Sequence, residues 1–306
     1  SLMCSEKKLQ SKFIDQCLLS LKFGMIKCDI KFKMISIVIT SFNEPKTIGK
    51  AIDSFLNQDI KEKYELIVAA PDKQTWEIVK NYQKNNKQIK LFKDPGKGKS
   101  YALNLLLPKL KGEVIILTDG DVYVSENSVN EILNFFKDEK VGCVAGCPES
   151  LESRNTMFGY WSCILCNSAN RWRKKRDSKN KFLECSGYLW AFRNKVIKKF
   201  PLDVGEDTIV PIMFYLKGYK IKYARNAKVY VKYPFELSEF LKQKRRTAGA
   251  HDNIGKYVDL KKIPRMKTFF NEIVDGYTLF FYPENIKELF WTLWIFPLRF
   301  YIWTNL

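Results

Sequence analysis

The sequence predicts an α/β fold in which a largely parallel sheet carries helices on both faces. Short apolar runs typical of buried strands alternate with segments whose apolar residues recur at helical spacing. The chain of 306 residues is 46% hydrophobic, which supports a large core and excludes a disordered chain. In Leu117-Thr118-Asp119-Gly120-Asp121 two carboxylates follow an apolar run. This places them at the carboxyl end of a predicted parallel strand, where open α/β sheets bind their ligands.

Two strand and helix units are predicted before residue 95. The first strand is Ile35 to Thr40, and Asn43-Glu44-Pro45 opens a helix with proline in its first turn. The apolar residues of that helix are Ile48, Ala51, Ile52, Phe55 and Leu56. A second strand is predicted at Glu65 to Ala70 and a third at Ile89 to Phe92. The helix between them is marked by Trp76, Val79 and Tyr82.

The same alternation continues towards the C-terminus. The later predictions are a helix opening at Ser100, a strand at Val114 to Leu117, a helix capped by Ser125 and ending at Phe136, a strand at Val141 to Ala145, a strand-rich segment from Phe182 to Phe192 interrupted by Ser186-Gly187, and a helix beginning at Glu206-Asp207.

Composition narrows the class of protein. The net charge of +19 implies an anionic partner, which nucleic acid, a membrane surface or a phosphorylated substrate would each provide. Eight cysteines in a chain of this length, without a secretory signal, predict reduced thiols. Zinc spacing occurs in Cys143/Cys147 and Cys163/Cys166, but the first pair falls in a strand-like run and the second in a helix-like run.

Two loops and one basic run have the composition of ligand sites. Asp119-Gly120-Asp121 suits Mg²⁺ or Mn²⁺ bridging a nucleotide diphosphate, with a solvated turn as the alternative. Asp94 to Ser100 matches neither a Walker A motif nor a dinucleotide fingerprint. Its lysines and the start of the following helix favour binding of a phosphate group, and a solvated turn is the alternative. Between Asn170 and Lys181 seven Lys or Arg residues and one Asp suit RNA, anionic lipid or a solvated loop.

A second acidic pair lies in Val204-Gly205-Glu206-Asp207, where a helix is predicted to begin. Helix starts favour acids, so capping is one interpretation. The other interpretation is a general base. A transfer reaction needs such a base in addition to the metal that Asp119-Gly120-Asp121, which we call the metal loop, would hold.

Several short motifs follow one another between residues 34 and 250. They are Ile37-Val38-Ile39-Thr40-Ser41-Phe42-Asn43-Glu44, Gly98-Lys99 with Ala102-Leu103-Asn104, Asp119-Gly120-Asp121, Ser186-Gly187 followed by Arg193, Glu206-Asp207, and Gln243-Lys244-Arg245-Arg246. In order and spacing they resemble the motifs of inverting glycosyltransferases of family 2, of the membrane-associated type. The resemblance implies the GT-A fold, a three-layer α/β/α sandwich with a largely parallel central sheet, for a catalytic domain of residues 34 to 260.

The resemblance also implies roles. Asp207, with Glu206 beside it, takes the proton of the acceptor hydroxyl, and Asp121 with Asp119 holds Mn²⁺ or Mg²⁺ on the diphosphate. Residues implied to bind the donor nucleotide or its diphosphate are Ser41, Asn43, Glu44, Asp72, Lys99, Asn104, Asp119, Gln243 and Arg246. Residues implied to bind the acceptor are Ser186, Gly187 and Arg193. His251, the only histidine, is a further candidate ligand of metal or phosphate, with an ordinary polar contact as the alternative.

The reaction implied is a single displacement that moves a sugar from a nucleotide-diphosphate sugar, foremost a UDP-sugar, to a hydroxyl with inversion. The chain departs from the family pattern twice. Ala69-Ala70-Pro71-Asp72 stands where the family has an acidic, glycine-containing turn, so only Asp72 carries over as a base-binding residue. Thr247 replaces the tryptophan of the last motif, which favours a single transfer over long-chain synthesis.

Two other classes of protein are alternatives. A sugar nucleotidyltransferase would share the layout, but it needs a glycine-rich, arginine-containing loop after the first strand, where this chain has Ser41-Phe42-Asn43-Glu44-Pro45. A nucleic-acid-binding module would explain the charge but leaves both acidic pairs unexplained. The sequence therefore predicts a nucleotide-sugar donor and a glycan or polyprenyl-phosphate-linked acceptor, predicts no nucleic-acid partner, and leaves the oligomeric state open.

The two ends of the chain are predicted to lie outside the catalytic domain. Residues 1 to 33 form an extension of uncertain role, and residues 261 to 306 a helical segment. From Gly276 to Leu306 there are eleven aromatic residues in thirty-one, a density that suits a membrane interface. The longest uncharged run, Leu289 to Leu298, is about half of the ~20 residues that span a bilayer. We therefore expect an in-plane anchor on an anionic membrane at the cytoplasmic face, with a helix packed on the domain or in an oligomer as the alternative.

Overall fold

A computed structural model describes residues 32–264 and 276–305 of the protein. The predicted N-terminal extension therefore lies outside the described residues, apart from its last two positions. The strands within the described residues are β1 (Ile35–Thr40), β2 (Tyr64–Ala70), β3 (Ile89–Lys93), β4 (Val114–Asp119), β5 (Tyr123–Val124), β6 (Val141–Ser150), β7 (Leu189–Arg193) and β8 (Lys220–Val231).

The α-helices of the same residues are α1 (Ile48–Leu56), α2 (Lys73–Asn85), α3 (Lys99–Leu106), α4 (Ser128–Phe135), α5 (Met157–Asp177), α6 (Glu206–Leu216), α7 (Leu237–Asp252) and α8 (Ile286–Asn305). Short 3₁₀ helices lie at Leu107–Lys109, Ile254–Lys256, Leu260–Lys262 and Tyr277–Phe281. Proline at the second position of the first of these is tolerated because that N–H has no partner within the helix.

The strands form one sheet in the order β3-β2-β1-β4-β7-β6-β8-β5. Strands β1 to β4 are mutually parallel, and β7 is antiparallel to both β4 and β6, so β6 runs in the direction of β4 again. Carboxyl ends of parallel strands meet at one edge, and accordingly Thr40 of β1 pairs with Asp119 of β4. The predicted α/β fold with a largely parallel sheet is confirmed.

Alternation along β1 assigns its side chains to two separate cores. Ile37 and Ile39 belong to the cluster that contains Phe55 of α1, whereas Val38 belongs to the cluster that contains Leu103 of α3. Because successive strand residues point to opposite faces, a strand with buried apolar residues on both faces needs helices on both sides. Each fully buried side chain of this kind stabilises the fold by roughly 1.5–3 kcal/mol.

Several predicted boundaries differ from the structure. Asn43-Glu44-Pro45 does not open α1, because residues 45–47 form a turn and the helix begins at Ile48 after the N-cap Thr47. Strand β6 continues to Ser150 instead of ending at Ala145 because β8 remains beside it, pairing Ser150 with Val231. Helix α4 begins at Ser128, because Asn127 has a left-handed backbone (φ 62°) that no helix can include. The segment predicted as strand-rich before β7 is a loop as far as Tyr188, which leaves Ser186-Gly187 at the sheet edge.

The basic run at 170–181 is largely helical. Its residues up to Asp177 form the C-terminal half of α5, and the helix places Lys174, Lys175 and Arg176 in its last turn. Cations in that position are stabilised by the partial negative charge of the helix C-terminus. The solvated-loop alternative is therefore wrong for most of the run.

The C-terminal helix α8 packs by one face against the start of α5. The Tyr160 and Thr292 hydroxyls are 2.5 Å apart, and Trp161 Nε1 donates to the carbonyl of Trp291 at 2.8 Å. Arg154, just before α5, makes a bidentate pair with the buried Glu288 at 3.0 and 2.6 Å. Within residues 32–264 and 276–305 no helix is long and apolar enough to cross a membrane.

We predict that Arg154→Met lowers the free energy of unfolding by about 2–3 kcal/mol, because Glu288 would remain buried without its cation. The matched control is Lys220→Met, whose partner Asp138 is exposed, and this pair contributes about 0–1 kcal/mol. Guanidinium titrations followed by tryptophan fluorescence measure both values. Equal losses in the two variants would contradict the prediction.

Candidate active site

The loops after β1 and β4 meet at the carboxyl edge of the sheet. Gly120 N–H donates to the carbonyl of Thr40 at 2.8 Å, and the Thr40 hydroxyl donates to Asp119 Oδ1 at 3.1 Å. Thr40 was not among the predicted site residues. Its place at the end of β1, directly before the predicted nucleotide-binding loop Ser41 to Glu44, was the available signal. We call Ser41 to Glu44 the nucleotide loop. Asp119 is thus fixed by the strand next to its own.

Gly120 allows the nucleotide loop to approach the acidic pair. A Cβ at Gly120 would lie 2.6 Å from Glu44 Oε2 and 2.7 Å from Ser41 Cβ, which is closer than side-chain atoms come. Ser41 Oγ donates to the same Glu44 carboxylate at 3.0 Å. Burial and the neighbouring Asp121 raise the pKa of Glu44 to about 7, with Asp119 adding to the effect and Ser41 opposing it. The edge therefore has a concentrated negative potential.

Asp72 connects the nucleotide loop with α2. Its Oδ1 accepts from Thr75 N–H at 2.8 Å as the helix cap, and its Oδ2 accepts from Asn43 N–H at 3.1 Å. Asn43 has φ 57°, a left-handed conformation that asparagine tolerates better than most residues. Both carboxylate oxygens of Asp72 thus hold backbone groups of the loops at this edge. Recognition of a base by Asp72 stays a prediction.

Lys99 joins the two acidic pairs. Its ammonium lies 2.7 Å from Asp119 Oδ1 and 2.7 Å from Glu206 Oε1. Burial alone would lower the pKa of Lys99, but Asp119 and Glu206 outweigh burial and raise it above its ordinary value. Lys99 is therefore a cation at neutral pH, and it holds β4 and the start of α6 together.

Asp207 follows Glu206 and faces the Ser186-Gly187 loop. A Cβ at Gly187 would lie 3.2 Å from Asp207 Oδ2, and the Gly187 N–H donates to the Asp207 carboxylate. Burial, and then Glu206, raise the pKa of Asp207 to about 6, while Lys99 opposes the rise. A carboxylate with this pKa is mostly ionised at pH 7 and is a stronger base than an ordinary aspartate.

Two predicted binding residues have structural contacts instead. Arg193 ends β7, which runs antiparallel to β4, so it pairs with Val114 at the opposite edge of the sheet from Asp119. Its guanidinium donates to the carbonyls of Val141, Phe136 and Asp138 at 2.8, 2.8 and 2.9 Å. The prediction that Arg193 binds the acceptor is wrong, because a residue at that edge cannot reach the site.

Asn104 ties α3 to the loop before α6. Its Nδ2 donates to the carbonyl of Phe200 at 2.9 Å, and its Oδ1 accepts from the N–H of Phe200 at 2.7 Å. Because both ends of the amide bind one backbone residue, Asn104 positions α3 rather than contacting a donor directly. Its predicted donor-binding role is corrected accordingly.

The predicted residues of α7 are only partly described. Gln243 Nε2 lies 3.5 Å from the hydroxyl of Tyr188, whose carbonyl accepts from Thr118 Oγ1 of β4 at 2.7 Å. Gln243 thus contacts a residue that is bonded to β4, and its donor-binding role stays a prediction. The side chains of Arg246 and His251 lie outside the described residues, and their predicted roles stay predictions.

Among the described side chains no group of three or more His, Cys, Asp or Glu residues is arranged to hold a metal ion by itself. The four cysteines with zinc-like spacing lie on β6 and α5. Burial raises the pKa of Cys143 well above its ordinary value and that of Cys166 to about 11. Both thiols are thus protonated at neutral pH and fill space in the core.

The sequence profile of glycosyl transferase family 2 matches residues 36–200, which include β1, the nucleotide loop, the Asp119-Gly120-Asp121 loop and Ser186-Gly187. The chain belongs to glycosyltransferase family 2. It is a glycosyltransferase, as the order of its motifs predicted.

Similar proteins include the poly-β-1,6-N-acetyl-D-glucosamine synthase of Staphylococcus epidermidis, 25% identical over 235 residues that are 71% of this chain and 55% of that protein. The chain therefore spans about half the length of the curated relatives it matches. The mannosyltransferase PcManGT of Pyrobaculum calidifontis, solved with GDP-Man and Mn²⁺, is 18% identical with a TM-score of 0.60 over 87% of this chain and 74% of that one. GalNAc-T7, solved with UDP, GalNAc and Mn²⁺, is 16% identical with a TM-score of 0.53 over 68% and 45%. These two structures confirm the GT-A type of fold.

In this family 2 glycosyltransferase the pH dependence of transfer should report Asp207. If Asp207 is the base, kcat/KM requires its ionised carboxylate, and we predict that kcat/KM rises with pH and is half-maximal near the Asp207 pKa of about 6. Lys99→Met removes a charge that lowers this pKa, so the acidic limb of the profile should move to higher pH.

Lys99→Arg is the matched control, because it keeps the positive charge and should keep the acidic limb within ~0.3 pH units of the parent value. An unchanged limb in Lys99→Met would show that Lys99 does not act on the titrating base.

Proposed function

We propose that the protein moves a sugar from a UDP-sugar to an acceptor hydroxyl in a metal-dependent single displacement with inversion. The observation that carries the proposal is the Lys99 bridge, which brings Asp119 of the metal loop and Glu206-Asp207 of α6 to one edge of the sheet. A carboxylate pair for a diphosphate-bound cation and a separate basic carboxylate are the two parts that this reaction needs.

Asp207 is the proposed base. The acceptor oxygen attacks the anomeric carbon, the bond from that carbon to the diphosphate oxygen breaks, and the hydroxyl proton passes to the Asp207 carboxylate. Gly187 lies against Asp207 without a side chain, which leaves space for the acceptor. Glu206 is paired with Lys99 and keeps the start of α6 in place. Ser186 is buried on the same loop and is proposed to help position the acceptor.

The acidic edge fits a hard divalent cation, Mn²⁺ or Mg²⁺. Its donors are carboxylate oxygens, which these ions prefer. Burial raises the pKa of Glu44 most, and the charges of Asp121 and Asp119 add to the rise, so both aspartates contribute negative potential there. A cation bound there would supply charge neutralisation for the diphosphate as it leaves. We assign Asp121 and Asp119 as its protein ligands, while Ser41, Asn43 and Glu44 shape the nucleotide loop.

The donor is proposed to be a UDP-hexose, foremost UDP-N-acetylglucosamine. Support comes from the curated relatives, which are poly-N-acetylglucosamine synthases, and from the neighbour solved with UDP and Mn²⁺. The acceptor is proposed to be a glycan precursor or a polyprenyl-phosphate-linked glycan at the cytoplasmic face of a membrane. Thr247 in place of the family tryptophan supports a single transfer.

The proposed function is tested by incubating the protein with Mn²⁺, a panel of UDP- and GDP-sugars and polyprenyl-phosphate-linked glycans, and identifying products by mass spectrometry. We predict a UDP-sugar-dependent mass increase of one residue and an inverted anomeric configuration by NMR. Asp207→Asn should lower the rate at least ~10²-fold with donor binding retained. A retained anomeric configuration, or full activity of Asp207→Asn, would reject the mechanism.

A separate prediction concerns the metal loop. Asp121→Asn should weaken Mn²⁺-dependent UDP binding at least ~10-fold, because one charged ligand is lost. Isothermal titration measures this without turnover, and Asp59→Asn, a change at an exposed aspartate outside the site, should bind as the parent does. Unchanged UDP affinity in Asp121→Asn would remove Asp121 from the metal site.

A further inference from the structure

Helix α8 and the 3₁₀ helix before it expose a set of large apolar side chains. On α8 the exposed residues recur every three or four positions and therefore share one face. The exposed members are Tyr277 (61%), Phe281 (82%), Ile286 (73%), Leu289 (39%), Phe290 (61%), Leu293 (46%), Trp294 (64%), Phe300 (60%) and Tyr301 (44%). We call this set the aromatic face.

The aromatic face is larger than an ordinary surface patch. At about 150–250 Å² per aromatic side chain, the exposed fractions amount to roughly 900 Å² of apolar surface. The largest apolar patch of a soluble monomer is about 300–600 Å², and larger ones mark sites that bind a protein or a membrane. The size of the aromatic face therefore indicates that it binds a partner.

The orientation of the aromatic face is fixed by the opposite side of α8. Glu288, Thr292 and Ile295 are buried there, and the first two bind Arg154 and Tyr160. Reversing the helix would break a buried ion pair and leave the carboxylate of Glu288 without its cation, which is costly. The aromatic face thus points away from the domain.

The aromatic face adjoins a basic surface. Arg171 of α5 donates to the Thr278 hydroxyl, which joins the basic half of α5 to the 3₁₀ helix of the aromatic face. Lys174 and Lys175 follow Arg171 and are exposed. Within the described residues 276–305 the acids are Glu284 and Glu288, and both pair with Arg154. An approaching surface thus meets exposed cations beside the aromatic rings.

The net charge of the chain distinguishes between two possible partners of the aromatic face, a second copy of the chain and an anionic bilayer. A second copy of a chain with net charge +19 would bring like charges together along the rim of the contact. An anionic bilayer attracts the same cations and accepts aromatic rings at the depth of its headgroups. We propose that the aromatic face docks in the plane of a bilayer that contains anionic phospholipid, with Phe290 and Trp294 inserted.

The docked orientation would bring the catalytic edge close to the lipid surface. Helix α8 packs on the first turns of α5, and α5 follows the carboxyl end of β6, which runs in the direction of β4. The carboxyl end of β4 holds Asp119. This docking surface is distinct from the transfer reaction, and its test needs no donor.

The test is sedimentation of the full chain with phosphatidylglycerol/phosphatidylcholine vesicles and with phosphatidylcholine vesicles. We expect the parent to bind the anionic vesicles at least ~10-fold more tightly, and Phe290→Ser with Trp294→Ser to lose at least ~10-fold of that binding. The matched control is Leu202→Ser with Leu260→Ser, which removes leucines that are 58% and 50% exposed elsewhere and should bind as the parent does.

Equal binding by the parent and the Phe290/Trp294 variant would overturn the proposal. So would a lipid-free dimer, measured by sedimentation velocity, that the same variant dissociates. If the Phe290/Trp294 variant does not fold, the single variant Trp294→Phe is used instead, because phenylalanine keeps an apolar ring at this position. The parent and this variant are then mixed with vesicles of brominated lipid, which quenches tryptophan emission. Quenching of tryptophan emission should then fall relative to the parent, and unchanged quenching would place Trp294 outside the bilayer and reject the proposal.

Discussion

The geometry of the site depends on one partly buried ammonium group. Lys99 separates and neutralises the carboxylates of Asp119 and Glu206, at 2.7 Å from each. Without that cation the two carboxylates would repel, and partial burial strengthens such repulsion because the local dielectric constant is low. Since Asp207 follows Glu206 in α6, the same bridge fixes the distance between the metal loop and the proposed base. In the proposed reaction, one lysine thus links the donor side to the acceptor side.

Strand pairing in the sheet positions the other residues of the site. Parallel pairing of β1 with β4 places Thr40 beside Asp119, and the absence of a side chain at Gly120 lets Glu44 and Ser41 approach within contact distance. These contacts gather carboxylates at the edge, where burial and then the charge of Asp121 raise the pKa of Glu44. Such a concentration is unfavourable in the free protein, so a divalent cation that binds it would be held more tightly than by two isolated aspartates.

Much of this arrangement follows from the sequence because it depends on local order. An apolar run followed by Asp119-Gly120-Asp121 predicts carboxylates at a strand end, and the alternation of elements predicts a shared edge for Ser41 to Glu44. Arg193 shows where such reasoning fails. Sequence does not reveal that β7 runs against β4, and this reversal carries Arg193 to the far edge. The prediction for Asn104 fails for a related reason. Its partner Phe200 lies 96 residues away in the sequence, so the contact cannot be read from local order.

The distribution of charge explains how a chain of net charge +19 can have an acidic catalytic edge. The acids are gathered in the loops after β1 and β4, where they can serve a cation, whereas Arg171, Lys174 and Lys175 lie on α5 beside the aromatic face. If both proposals hold, the two regions serve different partners: the acidic edge binds a metal–nucleotide complex from solution, and the basic helix meets lipid. A lipid-linked acceptor would then reach Asp207 by diffusion in two dimensions, at an effective concentration that a soluble acceptor does not have.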